Sequence, residues 1–202
     1  MEDYPRILEY EIDGEEKELI IYQEVISDVG GVVWDSALMA TYYFIKNHRK
    51  WQEKTVLELG SGTGICGIAL AALGAQKVIA SDLENQINLL NRNIKANNLS
   101  NIESRALDWT KDAPPRNLDL LLAVDCIYYL SSIFPLIDFL KNSDAKEILI
   151  VSEKRDIGEA SRAQNLFFEK IEEFFNVINV PKCEFDKHFY ADDIIFVNLI
   201  KK

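Results

Sequence analysis

The chain has 202 residues, 48% of them apolar and 27% charged, with 9 Gly, 5 Pro and 10% aromatics. That is the composition of a globular unit with a true core, and it excludes collagenous, low-complexity and coiled-coil classes. The 22 Lys+Arg against 33 Asp+Glu leave a formal net charge of -11, which repels a phosphate backbone, so nucleic acid is disfavoured as a partner and a lysine-bearing protein gains.

In chain order, Met1-Glu2-Asp3-Tyr4-Pro5 lacks a basic region leading into an apolar core, so no signal peptide is expected. The alternating runs 7–12 and 19–22, with Asp13-Gly14 near their junction, predict a β-hairpin. After Gly30-Gly31, residues 35–48 carry Ala37, Leu38, Ala40, Tyr43 and Phe44 at helical spacing and predict a helix leading to Trp51. A strand over 55–59 runs into Gly60-Ser61-Gly62-Thr63-Gly64, followed by an apolar helix over 65–73 closed by Gly74. A strand over 77–81 ends at Asp82, and the next helix, 86–97, places Ile87, Leu90 and Ile94 on one face. A strand over 102–106 precedes Leu107-Asp108-Trp109, and the nearly continuous apolar run 118–125 suits a strand buried on both faces. A helix over 133–141, a strand over 147–151, a helix over 158–175 and strands near 177–180 and 194–200 complete the pattern. No apolar run approaches about 20 residues, so no membrane span is expected. Cys66, Cys126 and Cys183 are odd in number and without metal-ligand spacing, and they read as reduced thiols with no metal expected. The expectation is a cytoplasmic monomer, with the nucleus left open.

Repeated strand-helix alternation implies a mainly parallel sheet with right-handed crossovers and helices on both faces, an α/β fold. In such sheets ligands sit outside the carboxyl ends of the strands, at the switch point. Three places qualify: residues 60–64, Asp82, and residues 125–128. The glycines allow a tight turn and close backbone approach, and the following helix offers its N-terminal amides. Asp82, about 20 residues on, stands where an acid accepts hydrogen bonds from ribose hydroxyls; a helix cap is the alternative. Gly62, Gly64 and Gly67 can also be read as a dinucleotide fingerprint, which keeps an NAD-dependent oxidoreductase open but leaves Glu58 and Gly60 unexplained.

The string Glu58-Leu59-Gly60-Ser61-Gly62-Thr63-Gly64 resembles the E-x-G-x-G-x-G motif of the seven-stranded S-adenosylmethionine-dependent methyltransferases. That resemblance implies a Rossmann-like sheet with an antiparallel edge strand, here preceded by the hairpin, so that residues 1–50 form an extension and 51–202 the methyltransferase domain. Val33-Trp34-Asp35, Leu107-Asp108-Trp109 and Asp125-Cys126-Ile127-Tyr128-Tyr129 resemble, more narrowly, the methyltransferase-like family 21 group of protein-lysine methyltransferases. Within that group, residues 56–64, 125–129 and Asp192-Asp193-Ile194 are most similar to the branch acting on an AAA ATPase chaperone. Carried over residue by residue, the resemblance implies S-adenosylmethionine contacts at Trp34, Gly60, Ser61, Gly62, Asp82, Trp109 and Val124, although Val124 stands where the group has a small residue. It implies substrate-facing, catalytic roles for Asp125 and Tyr128, with a capped helix and a packed ring as the alternative. Glu153 and Arg155 also resemble group positions, and a solvated charge run is the competing account.

The implied activity is transfer of methyl groups to the lysine ε-amine of a protein partner. A lysine, with a reference pKa of about 10.4, must first lose a proton, so positioning and local electrostatics carry the chemistry. Three alternatives remain: an amino-methyltransferase of nucleic acid or another protein residue, against which Cys126-Ile127 replaces the usual Pro-Pro, a non-catalytic cofactor-binding scaffold, and the NAD-dependent oxidoreductase.

Overall fold

In the computed structural model, residues 5–24 and 29–202 are described. Strands β1 (Arg6–Ile12) and β2 (Glu15–Ile21) form the expected hairpin, closed by Asp13 and Gly14 at φ 51 and 83. Positive φ at both turn residues matches the right-handed twist of the strands, which is why Asp-Gly suits this junction. Helices α1 (Asp35–Lys46) and α2 (His48–Trp51) lead to β3 (Thr55–Leu59), α3 (Ile65–Ala72) and β4 (Lys77–Asp82). A 3-10 turn, Glu84–Gln86, opens α4 (Ile87–Ala96), followed by β5 (Ile102–Ala106), β6 (Leu120–Val124) and α5 (Leu130–Asn142). Then come β7 (Glu147–Glu153), α6 (Gly158–Ile171), β8 (Phe175–Asn179) and β9 (Ile194–Lys201).

The main sheet has seven strands in the order β5-β4-β3-β6-β7-β9-β8. The first five are parallel, and β9 pairs antiparallel with both β7 and β8, giving the expected antiparallel edge. The chain starts at the centre with β3, steps out to β5 and returns to β6, so the switch point lies between β3 and β6. Period-2 alternation divides the core: Val56, Leu120, Leu122, Leu149 and Val151 face one side, and Leu57, Leu59, Leu121, Ile148 and Ile150 the other. The first side is covered by α1, α3 and the hairpin residues Leu8, Tyr10, Leu19 and Ile21. The second is covered by α5 and α6. Two-sided burial is the reason the β6 run reads as unbroken apolar sequence.

Two expected elements differ in detail. The helix expected over 158–175 ends at Ile171; the exposed Glu172 and Glu173 lie in a turn, and Phe175 opens β8. In α4 the deepest residues are Leu89, Leu90 and Asn93, while Ile87 and Ile94 are only partly buried. Asn93 is fully buried because its amide meets backbone groups: its Nδ2 donates to Tyr22 O (3.0 Å) and Thr63 O (2.8 Å), and its Oδ1 accepts from Tyr22 N (2.8 Å). One turn on, Asn97 exchanges the same pair of bonds with Ile20 (2.9 and 2.8 Å). These two amides dock the hairpin edge on α4. None of the described helices is long and apolar enough to cross a membrane.

Candidate functional site

The loop after β3 forms the floor of a cleft of about 280 Å³ at the switch point. Gly60 and Gly62 adopt φ +58 and +52, and neither could carry a side chain. A Cβ at Gly60 would stand 2.7 Å from Cys126 Sγ, and one at Gly62 2.8 Å from the Gly30 carbonyl. Ser61 N–H donates to Ser81 O (2.9 Å), tying the loop to β4. Asp82, closing β4, accepts from Gly62 N–H on one oxygen and from Leu83 N–H on the other, both at 2.7 Å. Its carboxylate therefore fixes the shape of the loop while lining the cleft; a carboxylate has about four acceptor positions, so these two bonds are compatible with ribose hydroxyls as further donors.

Beneath the loop lies Glu58, 2% exposed, whose Oε2 accepts from Gly67 N–H at 3.0 Å. Burial above all, with the nearby Asp82 charge, outweighs the lowering bonds from Ser61, the Gly67 amide and Cys66, and its carboxyl is pushed up to about 8. A Cβ at Gly67 would meet that carboxyl oxygen at 2.6 Å. Gly67 is thus small because Glu58 stands beside it, which accounts for the third glycine of the dinucleotide spacing without a pyrophosphate.

The walls are aromatic. Trp34, the residue before α1, lines the cleft and remains 38% exposed. Trp109 lies against Gly60, with ring carbons 3.8 and 3.9 Å from where a Cβ would be. Its buried indole N–H finds no partner among the described residues. Val124 ends β6 on the cleft wall, and Cys126 Sγ, buried beside it, donates to Leu59 O at 3.2 Å. Burial pushes that thiol well above its ordinary range, so it stays protonated.

Asp125 follows β6 in the left-handed region at φ 52, an uncommon conformation for a residue with a side chain. Three groups hold it there. Ser36 Oγ donates to Oδ2 at 2.7 Å, Glu153 N–H donates to Oδ1 at 3.1 Å, and the Arg155 guanidinium stands 3.5 Å from Oδ2. Arg155 also pairs with Glu153 at 3.0 Å and lies 5.8 Å from the Trp34 ring centre. Tyr128 lines the same cleft, its ring 4.5 Å from that of Tyr129.

The nine residues given cofactor or catalytic roles in the sequence, Trp34, Gly60, Ser61, Gly62, Asp82, Trp109, Val124, Asp125 and Tyr128, line this one cleft; of the two further group positions, Arg155 lines it and Glu153 does not. Sequence reasoning missed Ser36, Gln86 and the Gly30 backbone, which line it too. Ser36 read as an ordinary first-turn helix residue, and its partner Asp125 is 89 positions away; no local signal connects them.

Residues 13–174 match the family model described as Lysine methyltransferase. The Protein N-lysine methyltransferase METTL21A of Xenopus tropicalis is 35% identical over 133 residues, covering 62% of this chain and 61% of that protein. The Protein-lysine N-methyltransferase EFM6 of Saccharomyces cerevisiae is 30% identical over 210 residues, 87% of this chain and 82% of that protein. The EEF1A lysine methyltransferase 3 of Xenopus tropicalis is 37% identical over 113 residues, 54% of this chain and 50% of that protein. The chain thus spans between half and about four fifths of the length of these relatives. Among solved structures, the magnesium protoporphyrin IX methyltransferase of Synechocystis with bound SAH superposes with a TM-score of 0.60 at 14% identity, covering 83% of this chain and 82% of that one. A SAM-dependent methyltransferase from Aquifex aeolicus gives 0.58 at 19% identity, covering 81% and 92%. At these identities the likeness is one of fold.

Proposed function

The chain belongs to the lysine methyltransferase family, and from that membership we propose that it transfers methyl groups from S-adenosylmethionine to a lysine ε-amine of a protein partner. The observation that carries the reading is the convergence of the glycine loop, Asp82, two tryptophans and Asp125 on one cleft at the switch point. The cleft fits the cofactor. Gly60 and Gly62, at positive φ and packed against Cys126 and the Gly30 carbonyl, hold the loop as the floor of the cleft, Asp82 offers acceptors for a diol, and the Trp109 indole N–H needs an acceptor. When bound, S-adenosylmethionine supplies an electrophilic methyl on a sulfonium, and the amine nitrogen gains the C–N bond as the S–C bond breaks.

The residues of this chain do the rest. Asp125, at the carboxyl end of β6, attracts the incoming ammonium, and the rings of Trp34 and Tyr128 exclude water and tolerate a methylated ammonium by cation-π attraction. No side chain is required as a nucleophile; positioning a neutral amine in line with the methyl is the main contribution.

The finer resemblance is to the valosin-containing protein lysine methyltransferase, which makes an AAA ATPase chaperone the first target to test. The EEF1A relative makes elongation factor 1A the second. Incubating the protein with labelled S-adenosylmethionine and a eukaryotic lysate should label a discrete protein band on lysine. Label on nucleic acid, or no transfer alongside tight S-adenosylhomocysteine binding, would replace this reading with a nucleic-acid enzyme or a scaffold respectively.

A further inference from the structure

Methyl transfer to lysine sets two electrostatic demands in conflict. A carboxylate at the mouth draws in the ammonium, but the same carboxylate raises the lysine pKa and holds on to the proton that must leave. The cleft contains a feature bearing on this conflict. Among the described residues that line it, the carboxylates are Glu58, Asp82 and Asp125, and Arg155 is the one cation.

Arg155 is built into place. Its backbone N–H donates to Gln164 Oε1 at 3.1 Å, and Gln164, 6% exposed, also donates to Ser152 Oγ and Glu153 O, each at 2.8 Å. Its guanidinium reaches Asp125 Oδ2 at 3.5 Å and Glu153 Oε2 at 3.0 Å, with its side chain 30% exposed. The same Oδ2 accepts from Ser36, so Asp125 is engaged from α1, from the end of β7 and by a cation before any substrate arrives.

We propose that Arg155 is a positioning residue that offsets the Asp125 carboxylate, so that the target lysine can be drawn to the cleft and still give up its proton there. This rests on the lysine methyltransferase reading given above. The lysine loses one proton to bulk water, its nitrogen lone pair then forms the C–N bond while the S–C electron pair stays with the departing sulfur, and the product leaves as the charged methylammonium. A fixed guanidinium beside the carboxylate shifts that proton loss toward the neutral amine without removing the group that attracts the substrate.

The surrounding charges allow a clean test. From β4 the cleft presents Asp82, from the β6 end Asp125, Cys126 and Tyr128, from α3 Cys66, and from beyond β7 Arg155; Glu153, which does not line it, pairs with Arg155. Trp34 just before α1, Ser36 of α1 and Ala160 of α6 line the cleft without charge, and the uncharged Gln164 of α6 holds the Arg155 amide. Glu58 lies beneath the loop and is common to every variant, so it does not account for a difference between them.

The experiment measures the initial rate of labelled methyl transfer into the lysate band that the wild-type protein labels, from pH 7 to 10 at saturating S-adenosylmethionine. It uses wild type, Arg155→Met and Arg155→Lys, with S-adenosylhomocysteine affinity by calorimetry and melting temperature recorded for each. The expected result is that Arg155→Met moves the rising limb of the rate profile up by about one pH unit, so that activity lost near pH 7.5 returns near pH 9. Arg155→Lys should keep the wild-type midpoint, and cofactor affinity should stay within twofold in both. A loss of the same factor at every pH in Arg155→Met would mean that Arg155 only braces the loop, and the proposal would fall. An equal shift in Arg155→Lys would overturn it as well. If the wild type labels no lysine, the parent reading fails, which is a separate outcome.

Discussion

Asp82 commits one oxygen to the Gly62 amide and the other to the Leu83 amide, so it shapes the loop as well as offering acceptors to a diol. Asp82→Ala should weaken S-adenosylhomocysteine binding at least about tenfold, since charge-assisted bonds are worth roughly 1.5–3 kcal/mol each, with the protein still folded; calorimetry on a variant with a cooperative melt checks this. Asp125→Ala should instead remove most transfer while leaving cofactor affinity within a few-fold, and a stable variant with near-normal turnover would take the residue out of the mechanism. Glu58 gives a prediction in pH. Its carboxyl is raised from 4.5 to about 8, so the folded state holds the proton more tightly than the unfolded chain. The stability this contributes is complete below about 4.5 and is lost as pH rises toward 8. Glu58→Gln, which mimics the protonated acid, should flatten the fall in melting temperature across that window. The glycine loop and Asp82 were legible because a strand, a glycine turn and an acid at the next strand end occur in fixed order. The Ser36–Asp125–Arg155 cluster was not, because it forms only when α1, β6 and β7 are brought together.

At the scale of elements, the sheet could be read because β3, β6 and β7 are short apolar runs bounded by turn residues, and α3 because Gly64 and Gly74 bracket it. The expected face of α4, Ile87, Leu90 and Ile94, does pack on the core, but the full burial of Asn93 beside it had no signal in the sequence. Its amide is satisfied by backbone groups 71 and 30 positions away, and hydropathy carries no information about such partners. Asn93→Ala would strand the Tyr22 amide and carbonyl and the Thr63 carbonyl in a buried place. A cost of about 2–4 kcal/mol is expected, read by urea denaturation, and greater than that of Asn97→Ala, whose site is only partly buried. Cofactor affinity should fall with it, since Thr63 belongs to the glycine loop.

For the whole molecule, the hairpin and α1 contribute to the same apolar cluster as one face of the main sheet. Met39, Ala40, Tyr43 and Phe44 of α1 are each at most 2% exposed. Produced alone, residues 51–202 would keep α3 on that face but lose the cover of α1 and the hairpin, and we expect no cooperative thermal transition from them by circular dichroism, whereas the full chain should melt in one step. The docking of the hairpin through Asn93 has a further consequence for exchange with solvent. The Tyr22 amide proton is held by Asn93 Oδ1, and the Nδ2 of the same amide group holds the Thr63 carbonyl, so a movement of that group frees both. Exchange at Tyr22 is therefore expected to follow opening of the glycine loop. Saturation with S-adenosylhomocysteine should slow deuterium uptake at Tyr22, a residue that does not itself line the cleft.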